Sequence, residues 1–364
     1  MNSLSLAREE EMQKSIARPR RIIAKIVLLL CLAYLLALSA VTAVLWTLAD
    51  RWWPATILSF FPLWILVMPL FLLVPVALRW HRRSLFMLLA GAVVLVWPIL
   101  GLQIGWHATP DDGHTPFIRV MTCNMHRHQL SVPEFRSVLE SVRPDVVALQ
   151  DWLPADQSKL FPPDTWNTRC DGELFLASRY PIIEAQSIPL AEPPPAPFIT
   201  RPGAAVYYRL LTPLGEVNLI NLHLSSPHAA LNEFRTFDPT LPEQITYNSR
   251  CRGMESATIQ QFADQLPDPP LIMGDFNTPV QSALYRRYWD RFANAFSTAG
   301  FGFGTTHFST TSSLRIDHIL YGSGWRARVC WVGPEVGSPH RPVVADLQRE
   351  SDSSLVDSNA DSPR

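Results

Sequence analysis

The 364-residue chain has little lysine, no charge over long stretches of its first third, and few cysteines. Lys159 is the only lysine between His107 and Glu350, and that stretch sets 20 Lys plus Arg against 25 Asp plus Glu, a formal charge of −5. A protein that grips nucleic acid by its phosphates needs a basic face, and this composition does not supply one. Aromatic and basic residues do not interleave as they do along single-strand tracks. The five cysteines show no zinc-like spacing. Cys31 lies in an apolar run, and Cys123 and Cys330 sit in strand-like runs that suit buried thiols. Cys170 and Cys251 have polar, loop-like surroundings and are the preferred pair, although four cysteines allow three pairings. No internal repeat or low-complexity tract divides the chain.

Charge is nearly absent from Ile26–Leu48, Ile57–Leu78 and Ser84–Trp106. Each window is about 20 residues, enough to cross ~30 Å of hydrocarbon. A single cleavable signal would leave two of them unexplained, and a buried soluble bundle would need polar faces that are missing. Three transmembrane helices are expected, at 26–48, 57–78 and 84–106, with the second kinked by Pro62, Pro69 and Pro75. Arg8, Lys14, Arg18, Arg20, Arg21 and Lys25 precede the first window, and "RWHRR" (Arg79–Arg83) separates the second from the third. Only Arg51 lies between the first two. Lys and Arg stay on the cytoplasmic side, so residues 1–25 are expected to be a cytoplasmic tail and everything after Trp106 extracytoplasmic, on an inner membrane. Trp46, Trp52, Trp53, Trp80, Trp97 and Trp106 lie where an interfacial aromatic belt would.

Residues 107–350 have the composition of a soluble domain, and the Ser/Asp-rich 351–364 has too little to bury and is expected to be disordered. Short apolar runs alternate with helical and loop segments. Strands are expected at "FIRVMTCNM", "PDVVALQD", "GELFLAS", "LIMGDF", "LRIDHILY", "ARVCWVG" and "PVVADL", with a hairpin turning at Pro213–Gly215. Ser131, Pro133 and Glu134 open a capped helix, a second helix covers about 244–265, and the proline-rich 191–202 is a loop. Many short strands and few helices indicate two packed sheets flanked by helices.

Several of these apolar runs end in acids, amides or histidines: Asn124, Gln150 with Asp151, His223, Asp275 with Asn277, Asp317, and His340 before the last strand. Singly, each has a plain explanation, since an Asp at a strand end is usually a turn former. Asp275 and Asn277, two apart in "LIMGDFNTP", are expected on one face by strand alternation, with Phe276 turned into the core.

Taken together and in order, "TCNMH", "ALQD", "FLASRYPI", "NLHL", "GDFN", "IDHI" and "SPHRP" resemble the endonuclease/exonuclease/phosphatase superfamily, which includes deoxyribonucleases, neutral sphingomyelinases and inositol polyphosphate phosphatases. The resemblance spans about 117–347, and the membrane-plus-domain layout is similar to that of bacterial members. It implies an α/β four-layer sandwich of two mostly antiparallel sheets, and a metal-dependent phosphoesterase with one Mg²⁺ or Mn²⁺ ion. By that resemblance Asp151 and Asn124 serve the metal, and Asp275 acts on the attacking water. Asn277 donates to a phosphate oxygen, His340 contacts the phosphate with Asp317 on its other ring nitrogen, and His223 is the second histidine. Such chemistry needs an activated water and neutralised phosphate charge, which a hard cation and oriented imidazoles provide. The implied substrates are a phospholipid headgroup or small phosphorylated metabolite, then nucleic acid as a nuclease, with a lipid bilayer as the other partner. A weakened phospho-ligand or protein-binding domain is the third reading. It is motivated by two departures, Asp151 where the family has Glu and Pro339 where it has an acid; Pro339 cannot ligate and has no N–H. His126 and His128 fit a solvated loop, and Arg179 and Arg341 fit ion pairs as well as anion contacts.

Overall fold

The computed structural model describes residues 3–108, 113–127, 132–153, 157–191, 202–227, 231, 238–309 and 313–350, with side chains from residue 20 onward except at 132. The expected disordered tail at 351–364, Ser131 and His128 lie outside these residues. The chain divides into two compact units, Met1–Leu45 with Pro62–Gly101 and Trp46–Phe61 with Leu102–Arg364.

In the first unit three helical stretches are long and apolar enough to cross a membrane: Arg20–Leu48, Leu63–Trp80 and Arg82–Ile99, with mean hydropathies of 2.6, 2.0 and 1.5. The first lies on helix α1 (Ser3–Leu48), which runs past this unit's boundary. Its Val27, Cys31, Tyr34 and Leu38 meet Ala77, Leu88, Leu95 and Ile99 of the other two. Leu29, Leu36, Phe71, Leu72 and Phe86 face outward, exposed to whatever surrounds the bundle. The second stretch does not start at Ile57 as expected. Helix α2 (Trp53–Phe60) ends before Pro62, which cannot donate a helix hydrogen bond, and a 3-10 turn at Leu63–Val67 leads into α3 (Met68–Trp80). The third stretch opens with a 3-10 turn at Arg82–Ser84, continues as α4 (Leu85–Val94) and a wide turn containing Pro98, and stops at Ile99, short of Trp106. Gln103–Ile104 instead pair with Phe301–Gly302.

The second unit holds two six-stranded sheets. One contains β1 (Ile118–Asn124), β2 (Val146–Gln150), β3 (Asn167–Asp171), β4 (Leu174–Ser178), β11 (Trp325–Val332) and β12 (Val343–Arg349), in the order β11-β12-β1-β2-β4-β3. The other contains β5 (Ile182–Ser187), β6 (Ala204–Thr212), β7 (Gly215–His223), β8 (Leu271–Asp275), β9 (Ala293–Asn294) and β10 (Asp317–Tyr321), in the order β9-β10-β8-β7-β6-β5. Each sheet is antiparallel except for one parallel pair, β1 with β2 and β7 with β8.

Period-two alternation sends one side of each strand into the space between the sheets. Val120, Ala148, Leu176, Tyr208, Leu219, Met273, Ile319 and Leu347 form that inner core. The opposite faces are covered as well. Phe135 and Leu139 of α5 (Val132–Val142) pack with Trp152, with Phe161 at the end of the short α6 (Gln157–Leu160) and with Phe175, while Ile259 of α7 (Leu241–Ala263), Trp289 and Phe276 pack on β7 and β8. The result is the expected four-layer sandwich.

Among the polar contacts that join the sheets is one between two buried amides. Gln150 Nε2 donates to Asn221 Oδ1 at 2.7 Å, and Asn221 Nδ2 reaches the carbonyls of Leu149 and Phe175 at 3.2 Å. Both side chains are fully buried. Gln150 Oε1 finds no partner among the described residues, while the other bonds hold the two amides together just below the strand ends that carry the candidate site.

All five thiols are free. The expected Cys170–Cys251 pairing does not occur, because Cys170 is exposed on the sheet-edge strand β3 whereas Cys251 is buried on α7.

Candidate functional site

Register brings the strand ends together. His223 pairs with Asp275 across β7 and β8, Asp317 pairs with Asp275 across β10 and β8, and in the other sheet Asn124 pairs with Gln150. Glycine is required at position 274. Its φ is +145°, and a Cβ there would sit 1.9 Å from the Leu222 carbonyl oxygen, so no other residue fits between these strands. Asn277 is not on the strand, and alternation is not what aims it. It adopts a left-handed conformation (φ +47°), its N–H donates to Asp275 Oδ1 at 2.8 Å, and its Nδ2 donates to Leu224 O at 2.8 Å. Phe276 points into the core against Trp289.

Asp275 is the centre of the constellation. Its Oδ2 accepts from Asn124 Nδ2 at 2.8 Å and lies 3.7 Å from His223 Nε2 and 3.8 Å from His340 Nε2. The far nitrogens of both rings are oriented by carboxylates. His340 Nδ1 donates to Asp317 at 2.9 Å, and His223 Nδ1 donates to Glu173 Oε1 at 2.9 Å. Asn124 Oδ1 accepts the His126 N–H at 2.8 Å. Ser338 ties the His340 turn to this end of β1, donating to Asn124 O at 2.7 Å and accepting from His340 N.

Asp151 follows β2 in a left-handed conformation (φ +52°) and meets Arg127 at 3.4 Å. Asp and Asn tolerate that region better than longer side chains do, a local reason for the shorter acid here. Among the described residues six non-glycine residues have positive φ, and four of them, His126, Arg127, Asp151 and Asn277, border this site. Such strain concentrates where the surrounding fold over-determines a functional geometry.

Two histidines show how environment sets charge. Burial pushes the His340 imidazolium pKa down, but the carboxylates of Asp317 and Asp275 outweigh it and raise the group to about 9. His318, next to Asp317 in sequence, is pushed down to about 3 by burial and then by Arg315. It packs among Phe276 and Tyr285, donates to Thr278 O and stays neutral in the core. His340 is held as a cation.

Among the described residues two groups of His, Cys, Asp or Glu side chains have ligand atoms within 4.8 Å of one another: Asp151, Glu173 and His223, and Asp275, Asp317 and His340. In the second, Asp317 and Asp275 lie on opposite sides of the His340 ring. The first offers two carboxylates, and such oxygen donors suit a hard divalent ion that keeps several waters; Asn124 Nδ2 lies 3.5 Å from His223 Nε2 of the same group.

Glu173 and His307 escaped the sequence reading. Glu173 sits in the tight turn between β3 and β4, where "DGE" looks like ordinary turn chemistry. The His307 ring lies 4.6 Å from that of His340. Arg179 is remote from the site, over Trp166 and bonded to Pro144 O. Arg341 pairs with Glu335 and lies over Phe308 at 4.5 Å. Arg341, Glu335 and Phe308 line a groove at the site's edge with His126, Ser338 and Pro339.

A model of the Endonuclease/Exonuclease/phosphatase family matches residues 121–340, well over half of the chain. The chain belongs to that family. Its members are typically hydrolases of phosphate esters and usually use a divalent metal. Among solved structures, an endonuclease/exonuclease/phosphatase from Beutenbergia cavernae is 18% identical, with 65% of this chain and 72% of that one covered at a TM-score of 0.47. The protein of the same description from Bacteroides vulgatus is 16% identical, with 65% and 100% covered at 0.47. The human Nocturnin catalytic domain, solved with a bound sulfate anion, is 15% identical, with 66% and 100% covered at 0.44. No curated protein matches the sequence.

Proposed function

We propose that the protein is a membrane-anchored, metal-dependent phosphoesterase. The observation that carries this reading is the placement of two carboxylate-oriented histidines, His223 and His340, on either side of Asp275. Asp275, fixed by Asn124 and by the Asn277 N–H, accepts a proton from the attacking water. The His340 imidazolium, backed by Asp317, donates from Nε2 to a phosphoryl oxygen and neutralises its charge. His223, backed by Glu173, donates from Nε2 toward the leaving oxygen. Asn277 uses one amide hydrogen on Leu224 O and has a second for phosphate. Asp151 and Glu173, with Asn124 beside them, would hold one Mg²⁺ or Mn²⁺, which supplies charge neutralisation and polarisation of the phosphate.

A formal charge of −5 over residues 107–350 and the apolar helices favour a phospholipid headgroup or small phosphorylated metabolite over a nucleic acid. The basic residues flanking the apolar stretches favour a cytoplasmic N-terminus and an extracytoplasmic catalytic unit on an inner membrane. Alkaline phosphatase fused after Trp106 is then active, and an inactive fusion places the unit in the cytoplasm.

The deciding assay is hydrolysis of bis-p-nitrophenyl phosphate by the detergent-solubilised full chain with Mg²⁺, Mn²⁺ or EDTA. Metal-dependent turnover lost in Asp275→Ala supports the enzyme. Pro339, standing where the family has an acid, favours a rival reading in which the unit binds phosphorylated ligands without turnover. Tight binding with no hydrolysis under any metal would establish that alternative.

A further inference from the structure

Helix α7 buries polar residues where a core-facing stripe should be apolar. Asn248, Ser249, Arg252, Glu255 and Ser256 are all at least nine-tenths buried, and the spacing 248, 252, 255 is that of one helix face. Both ends of this stripe make specific bonds. Toward the segment that joins the first two apolar helices, Arg252 donates to Asp50 Oδ1 at 2.6 Å, with both side chains essentially inaccessible. Asp50 is held in a left-handed turn (φ +64°), where its N–H donates to the buried Thr56 hydroxyl at 2.8 Å. Phe60 lies under the Arg252 guanidinium, and Arg286 lies over Trp46 at 4.4 Å.

Toward the site, Arg252 donates to Asn248 Oδ1 at 2.6 Å, and Asn248 Nδ2 donates to Ser226 O at 2.8 Å. Glu255 accepts from the Ser225 N–H and the Gly203 N–H at 2.9 Å and from the Ser225 hydroxyl. Residues 225 and 226 continue directly from His223, and the intervening Leu224 carbonyl receives the Asn277 carboxamide. A run of buried hydrogen bonds therefore leads from Asp50 to the turn that carries one histidine and orients one amide.

Burial of an ion pair is weak evidence of a stabilising role, because desolvation offsets the attraction. Asp50 Oδ2 and Arg252 Nε find no partner among the described residues, so this pair is not optimised for stability. What it does supply is a fixed position at the end of a run of buried hydrogen bonds.

We propose that the segment Trp46–Phe61 is part of the catalytic unit and that Asp50 is a positioning residue, acting through Arg252 and α7 on the turn at residues 223–226. This rests on the phosphoesterase reading for its kinetic consequence but not for its structural one. It also means that a fragment starting at residue 107 lacks a component of its own catalytic unit.

The test uses the full chain in detergent micelles, with Asp50→Asn, Asp50→Glu and Arg252→Met, read by hydrogen exchange and by bis-p-nitrophenyl phosphate kinetics. In Asp50→Asn and Arg252→Met, amide exchange rises at least tenfold in peptides covering 223–227 and 244–256, while β1 and β2 keep their protection. The Mg²⁺-dependent kcat drops about tenfold with KM little changed, and Asp50→Glu restores much of both. Unchanged exchange at 223–227 overturns the proposal. So does a uniform rise across both sheets, which would mark the pair as merely structural, and so does a loss that appears only in KM. If the parent chain shows no hydrolysis at all, the phosphoesterase reading fails, and the exchange pattern still decides whether Asp50 controls the turn.

Discussion

Asp317→Asn isolates the cause of the charge on His340. The substitution keeps the shape and leaves an amide oxygen to accept from Nδ1, but it removes a buried carboxylate 2.9 Å from the ring. In the native chain His340 is raised from 6.5 to about 9. The folded state therefore holds a proton that the unfolded state releases between those values. That proton's contribution to stability is complete below about pH 6.5 and is lost as pH rises through 9. At 1.36 kcal/mol per unit it amounts to about 3 kcal/mol. A single close opposite charge is worth about 1–3 pKa units, so Asp317→Asn is expected to lower the His340 value by that much and flatten the fall in stability between pH 6.5 and 9. The assay is a histidine NMR titration of the labelled full chain in micelles, paired with thermal unfolding across the same range. His318, pushed down to about 3, is the internal control and stays neutral throughout. A native His340 that titrates at the ordinary histidine value, or one that Asp317→Asn does not move, refutes the reasoning.

Gly274→Ala meets the Leu222 carbonyl oxygen at 1.9 Å and is expected to prevent folding or cost more than about 4 kcal/mol, read as lost expression or a collapsed unfolding transition. Phe276→Ala empties a fully buried ring site against Trp289 and is expected to cost about 3–5 kcal/mol in denaturant titrations. Glu173→Gln still accepts from His223 but loses its charge, and Asp151→Asn keeps a residue that tolerates the left-handed backbone. Each is expected to raise the Mg²⁺ needed for half-maximal hydrolysis about 10–100-fold, and a metal titration with no shift in either variant removes the first cluster as the cation site.

The strand ends were legible in the sequence because buried strands written in Val, Ile and Leu cannot accommodate an unexplained acid, amide or histidine. Asn124, Asp151, His223, Asp275, Asp317 and His340 all stood out for that reason, and the sandwich followed from the same alternation. Glu173 did not stand out, since an acid in a Gly-containing turn is commonplace. It gains meaning only because β4 lies beside β2 and its turn reaches His223 across the gap between the sheets. The expectation for Asn277 named the right neighbour for the wrong reason. A period of two describes a strand, and this strand ends at Asp275, after which a left-handed turn and a bond to Leu224 O take over.

Local chemistry was enough to define where apolar helices and strands form and which polar residues interrupt them, because hydrophobic period and turn residues act over a few positions. Which of those polar residues meet was a matter of sheet order, of register, and of the Gln150–Asn221 contact between the sheets, all of them contacts between distant parts of the chain. The same holds for Asp50 and Arg252, some two hundred positions apart. Each looks like an ordinary surface charge in the sequence, and only burial against each other turns them into a pair.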